Sequence, residues 1–218
     1  MTDFAQARRT MVDCQVRTND VTEGRVVDAF LAVPREAFVP APKQALAYLD
    51  ADLAVGPAGS QRYLIQPMFL AKLVQLAGVK PTDVVLDVGA ATGYSAAILS
   101  QLAAKVVALE SDESLAGEAK TALASYDNVS VTAGPLANGA AASGPYDVIL
   151  LQGSVEEVPL ALFESLREGG RLIAVVGRGR AGRATIFVRV GGDFTGRIAF
   201  DASLSALPGF AKAPAFTF

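Results

Sequence analysis

The chain has 218 residues, 51% of them apolar and 19% charged, with a formal net charge of −3 at pH 7. That length and composition suit one large globular domain, or one domain with an appendage, and so mild an acidity leaves no electrostatic footprint for nucleic acid. One cysteine, Cys14, excludes an internal disulfide and thiolate metal clusters, and the absence of histidine removes the commonest metal ligand and base. No run approaches the ~20 apolar residues that span a bilayer, and the start, MTDFAQARRT, lacks the apolar core of a signal peptide. A soluble cytoplasmic protein without a metal, a nucleic-acid partner or a membrane is expected, its oligomeric state open.

In chain order, residues 1 to about 80 read as mostly helical. Phe4 to Val16 suits a first helix, and Thr22 is a good N-cap for a second, with Val26, Val27, Phe30 and Leu31 on one side. That helix stops before Pro34. A proline-bounded segment, VPREAFVP, follows, and Tyr48 to Arg62 is loop-like with Gly56, Pro57 and Gly59. The next helix starts at Pro67 and ends before Gly78, with Leu70, Leu73, Val74 and Ala77 at helical spacing.

The stretch from Asp83 to Glu110 then organises what remains. Val84, Val85, Leu86 and Val88 form a short apolar run suited to a strand buried on both faces. Gly89 and Gly93 bound a sharp turn, Ala97, Ile98 and Leu102 give the following helix an apolar stripe, and Lys105 to Leu109 is a second strand. Glu110 closes that strand about 20 residues past the turn, where a carboxylate can accept from ribose hydroxyls. This is the pattern of an adenosine-binding βαβ unit. A dinucleotide pocket wants three glycines, G-x-G-x-x-G, to meet a pyrophosphate. Here the middle position is Ala91, and Asp87 stands two residues before Gly89. An acid there repels pyrophosphate but tolerates a ligand carrying an ammonium and a sulfonium.

Beyond Glu110 strands and helices alternate. Ser114 to Ala124 reads as a helix, Val129 to Thr132 and Asp147 to Leu151 as strands, Leu160 to Leu166 as a helix and Arg171 to Val176 as a strand. Ala184 to Val190 and Gly196 to Ala202 form a closing hairpin around Gly191-Gly192.

The acid-x-G-x-x-x-G pattern looks like the first motif of the S-adenosylmethionine-dependent methyltransferases. Val33-Pro34-Arg35-Glu36-Ala37-Phe38-Val39-Pro40, Ala47-Tyr48, Gln66-Pro67 and LDVGAATGY, in that order, resemble protein-L-isoaspartate O-methyltransferases. The likeness continues through Asn128-Val129, Tyr146 to Ile149, Pro159 and Glu168 to Leu172 to Val176-Gly177. It implies an α/β, Rossmann-like class I methyltransferase fold, a mostly parallel seven-stranded sheet with helices on both faces. Residues 1–80 would be an N-terminal helical extension over the mouth of the pocket, and 81–218 the S-adenosylmethionine-binding domain.

The resemblance also implies a protein or peptide substrate with a carboxylate acceptor, S-adenosyl-L-methionine as cofactor, and a set of site residues. Gly89, Ala90, Ala91 and Gly93 would cradle the cofactor, while Glu110 and Ser111 would hold its ribose end. Asp87 would order the turn or receive the methionine ammonium, Leu136 would lie against adenine, and Gln152 would stand after the fourth strand of the unit. Three positions depart from the family pattern. Ile65 stands where the family carries a hydroxyl in TISQP, Gly134-Pro135-Leu136 replaces G-D-G, and Gln152-Gly153-Ser154 replaces T-A-A. Arg62 and Gln66 are then the polar residues near the acceptor. Arg62 has the planar fork that grips a carboxylate, or else points to solvent from its loop. A small-molecule acceptor, or a binding module that keeps the fold without turnover, are the alternatives those departures leave.

Overall fold

The computed structural model describes residues 3–57 and 60–212; Gly59, part of the expected glycine loop, lies outside them. Helix α1 (Phe4–Met11) runs on through one π-helical turn, Val12–Val16, and a 3-10 turn, Arg17–Asn19. Asp20, in the left-handed region at φ 63°, ends it. Helix α2 (Gly24–Ala32) starts one residue later than a Thr22 cap would place it. Its N-cap is Glu23, without a side-chain cap bond, and the amides of Thr22 and Glu23 instead donate to Gln75 Oε1 at 2.8 and 3.0 Å. The orphan donors of a helix start are thus met by a side chain 52 residues away, which no local pattern reveals.

A short ladder of β1 (Leu53–Ala54) and β2 (Tyr63–Leu64) replaces part of the expected loop. Helix α3 (Pro67–Ala77) has the expected bounds, with Pro67 in its first turn and Gly78 left-handed after its end. The main sheet contains β3 (Val84–Val88), β4 (Lys105–Glu110), β5 (Val129–Ala133), β6 (Tyr146–Val155), β7 (Leu166–Val176), β8 (Arg183–Val190) and β9 (Asp193–Asp201). Its order is β5-β4-β3-β6-β7-β8-β9, parallel from β5 to β7 and closed at one edge by the antiparallel β8–β9 hairpin. Helices α4 (Tyr94–Ser100), α5 (Glu113–Ala122) and α6 (Leu160–Glu164) form the crossovers. The strand order reverses between β3 and β6, so the carboxyl ends of β3, β4 and β6 frame a crevice where such sheets bind ligands.

Two apolar clusters cover the sheet. One combines Phe30, Phe38, Leu70 and Val74 from the N-terminal elements with Val85, Ile98, Val148 and Val175. The other joins Leu86, Val107, Ile149, Leu172, Leu136 and Leu162. Residues before 80 therefore share a continuous core with the sheet.

The VPRE and AY motifs are joined in space. Arg35, fully buried, donates from Nε to the Ala47 carbonyl at 2.8 Å and from Nη2 to the Ile65 carbonyl at 2.9 Å. Its guanidinium lies 4.8 Å from the centre of the Tyr94 ring. Glu36 faces the other way, accepting from the Tyr48 hydroxyl and from Arg8 Nη2 at 3.1 Å. One motif thus ties helix α1, residues 47–48 and residue 65 to the first turn of α4. Arg35→Lys keeps the charge but not the fork, and should cost about 2–4 kcal/mol of stability in urea denaturation. A loss under about 1 kcal/mol would show that the two carbonyls do not depend on it.

Candidate active site at the carboxyl ends of β3, β4 and β6

The β3–α4 turn is tight because three of its residues take left-handed backbone: Gly89 at φ 83°, Ala91 at φ 51° and Gly93 at φ 98°. Ala91 accepts the cost a Cβ imposes there, and its amide is held by Glu110 Oε2 at 2.7 Å. The amides of Gly89 and Ala90 both donate to the Leu109 carbonyl, at 2.8 and 3.1 Å. Thr92 Oγ1 donates to the Phe38 carbonyl at 2.6 Å, fastening the turn to the N-terminal segment.

Glu110 is the centre of the site. Its Oε1 accepts from the Ser111 amide (2.8 Å), the Ser111 hydroxyl (3.3 Å) and the Asp112 amide (3.1 Å). Its Oε2 accepts from Ala91 and from Arg62 Nη2 at 2.5 Å. Five donors saturate a carboxylate with about four lone-pair sites. Arg62 does not point to solvent: it is 5% exposed, its Nε is without a partner, and it forms a buried ion pair with Glu110. It reaches the crevice because the Val55 amide holds the Arg62 carbonyl at 3.1 Å, at the end of the β1–β2 ladder.

Asp87 is likewise enclosed. Oδ2 accepts from Ser95 Oγ and Oδ1 from Gln152 Nε2, both at 2.6 Å. Both oxygens are engaged, so Asp87 is tied to Ser95 in the first turn of α4 and to Gln152 on β6. Burial pushes its carboxyl up to about 7; the Ser95 and Gln152 hydrogen bonds work against that, nearby Glu110 adds to it, and Arg62 opposes it.

The other expected site residues divide. Ile65 is buried, its carbonyl serves Arg35, and it lines the small cavity beside Gly89 and Gln152. Gln66 is turned to Asp50, donating from Nε2 to Oδ1 at 2.7 Å, while its amide donates to Asp52 Oδ1 at 2.9 Å. Leu136 is packed in the second apolar cluster with Leu86, Leu109 and Leu162. Gly89, Ala90 and Gln152 line one small cavity with Ile65 and Ser95. Ala91, Ser111 and Arg62 meet at Glu110, Asp87 is held by Ser95 and Gln152, and Gly93 faces Leu123 at the end of α5.

A further residue, Leu207, escaped the sequence reading. The segment after β9 runs beside β6, with Ala206 bridged to Ser154 and the Leu207 amide donating to the Ser154 carbonyl at 2.8 Å. A Cβ built on Gly89 would lie 2.8 Å from Leu207 and 3.1 Å from Arg62 Nη2, and one on Gly153 would lie 2.8 Å from Leu207. The cavity left beside Gly89, Ser95 and Gln152 is about 10 Å³, room for about one water. The Gln152-Gly153-Ser154 departure was the available signal, since a glycine inside a strand marks close backbone approach.

A parallel sheet reversing at β3/β6, a glycine turn after β3 and an acid ending β4 define a Rossmann-like methyltransferase. The family model for protein-L-isoaspartate(D-aspartate) O-methyltransferase (PCMT) matches residues 6–200, and the chain belongs to that family. It is 40% identical over 179 residues to a protein-L-isoaspartate O-methyltransferase of Koribacter versatilis (strain Ellin345), covering 81% of this chain and 79% of that one. It is 38% identical over 193 residues to the Roseiflexus castenholzii (strain DSM 13941 / HLO8) enzyme of the same name, covering 88% and 86%. Among solved structures, a protein-L-isoaspartate O-methyltransferase superposes with TM-score 0.81 at 26% identity, covering 93% of this chain and 66% of that longer one. A Plasmodium falciparum chain assigned to the same type, in complex with S-adenosyl-L-homocysteine, gives 0.77 at 17% identity, covering 95% and 99%. The last supports the fold alone.

Two features suit an S-adenosyl ligand, the side-chain-free backbone at Gly89 and the Glu110 carboxylate, and Arg62 Nη2 lies between them. In this conformation the place itself is filled by Arg62 and Leu207.

The Asp87 carboxyl supplies a pH test. The folded chain holds a proton that the unfolded chain, with a carboxyl near ~3.9, releases. Its contribution to stability is therefore complete below about pH 4 and is lost as pH rises to about 7. Asp87→Asn removes this dependence, so its stability relative to wild type should climb between about pH 4 and about pH 7 and level off above, by up to about 1.4 kcal/mol per pH unit. Parallel profiles in thermal unfolding across that range would refute the assignment.

Proposed function

We propose that this chain transfers a methyl group from S-adenosyl-L-methionine to the carboxylate of an isoaspartyl residue in a protein or peptide. The family match across residues 6–200 carries this reading. When bound, the cofactor supplies a methyl group on a cationic sulfur. The acceptor is ionised at neutral pH and already nucleophilic, so no proton has to be removed and a chain without histidine meets the need. What remains for the protein is alignment and exclusion of water. Glu110 and Ser111 would take the ribose hydroxyls, and the turn from Gly89 to Gly93 the chain between ribose and methionine. Arg62, once off Glu110, would be the cation nearest the acceptor carboxylate. Incubation with radiolabelled cofactor should yield a base-labile methyl ester on an isoaspartyl peptide and none on its aspartyl isomer. No ester, with cofactor binding confirmed, would end the isoaspartyl reading.

A second reading keeps the cofactor and changes the acceptor. It rests on Ile65, which is 5% exposed and sits where the family carries a hydroxyl. If isoaspartate is the acceptor, Ile65→Ser should raise kcat about tenfold or more, since one well-placed donor in an enclosed site is worth ~10²–10³ in rate. Unchanged turnover would favour a different acceptor.

A further inference from the structure

We propose that the cofactor site of this chain is held shut by its own residues. Arg62 occupies the carboxylate of Glu110, Leu207 of the C-terminal segment occupies the space over Gly89 and Gly153, and a nucleoside enters only when both withdraw. The proposal rests on the cofactor reading above.

Competition for one carboxylate is the first ground. Oε1 is committed to the Ser111 and Asp112 amides, which belong to the chain immediately after it and cannot leave without unwinding the start of α5. Ala91 is fixed by the turn. Arg62 Nη2 is the one donor from a long side chain outside the β3–α4 turn and the β4–α5 junction, so a ribose diol takes the place of Arg62 or finds none. The second ground is space. Leu207 lies where a Cβ on either of two glycines would go, Gly89 in the β3–α4 turn and Gly153 on β6, so both positions lack a side chain where the leucine packs. Beside Gly89 only the cavity of about 10 Å³ remains. A wider cleft of about 320 Å³, lined by Leu207, Ser154, Glu156, Arg178 and Phe210, has neither Gly89 nor Arg62 in its wall. Leu207 belongs to the wall of that cleft and also packs on the turn.

Both occluding residues ride on segments that are tied together. The Val55 amide holds the Arg62 carbonyl, and Asp52, three residues earlier, accepts from Ser205 Oγ at 3.3 Å. Asp52 also holds the Gln66 amide. Ser205 is two residues from Leu207, and its carbonyl accepts from the Ser154 amide at 2.9 Å. Withdrawal of the tail from the segment carrying Arg62 therefore breaks the Asp52–Ser205 link, and the site opens as the two blocks part from each other. Apparent affinity is then the intrinsic affinity scaled by the open fraction.

Asp52→Cys with Ser205→Cys, in a Cys14→Ser background, places a reducible bond across this link. Calorimetric titration with S-adenosyl-L-homocysteine is the readout, with disulfide formation verified by thiol titration. The oxidised protein should bind at least about a hundredfold more weakly than the same protein after dithiothreitol, and Leu207→Ala should bind about fivefold or more tightly than wild type. Equal affinity of oxidised and reduced forms overturns the latch and leaves the cofactor reading standing. No binding by wild type, reduced double variant and Leu207→Ala alike overturns the cofactor reading, and the latch with it.

Discussion

The Glu110 carboxylate is the constraint on which the carboxyl end of this sheet depends. It is fully buried at the end of a central strand and survives there as an anion because three amides, one hydroxyl and one guanidinium converge on it. An unpaired buried charge costs several kcal/mol, so each donor is under strong pressure to stay or to be replaced in kind. That requirement holds Ala91 in its left-handed conformation and draws Arg62 out of the surface loop. On the reading proposed above the same carboxylate would take the ribose hydroxyls, so binding and self-pairing would compete at one pair of oxygens.

Around it the N-terminal segment serves as structure first. Arg35 and Glu36, adjacent in sequence, point to opposite partners, and between them they tie helix α1, Ala47, Tyr48 and Ile65 to Tyr94 at the start of α4. A motif that reads as a family signature is therefore a clamp, setting the path of the chain into Arg62 and Gln66. The hydroxyl position held by Ile65 follows from the same arrangement: its carbonyl serves Arg35 and its side chain joins the core.

Asp87 shows how far a residue's neighbourhood alters its chemistry. As a free carboxylate beside a glycine turn it suits an ammonium; burial instead pushes it up to about 7, against the pull of the Ser95 and Gln152 hydrogen bonds. The two acids of the crevice thus have different partners, a guanidinium for Glu110 and a hydroxyl and an amide for Asp87.

The alternation of strands and helices, the bounds of α3, the glycine turn and the acid at the end of β4 follow from periodicity and turn chemistry alone, because those signals act over a few residues. Family membership was legible as well, in the order of VPRE, AY, QP and LDVGAATGY. What local pattern leaves open is every contact across tens of residues: Gln75 in place of a Thr22 cap, Arg62 on Glu110, Gln152 on Asp87, and Leu207 over Gly89. Sequence alone determined that the glycine turn after β3 and the acid ending β4 stand side by side, since strand ends and turns place them. Which partner each group takes was decided only by tertiary structure, because a buried charge is satisfied by whatever the fold brings within reach.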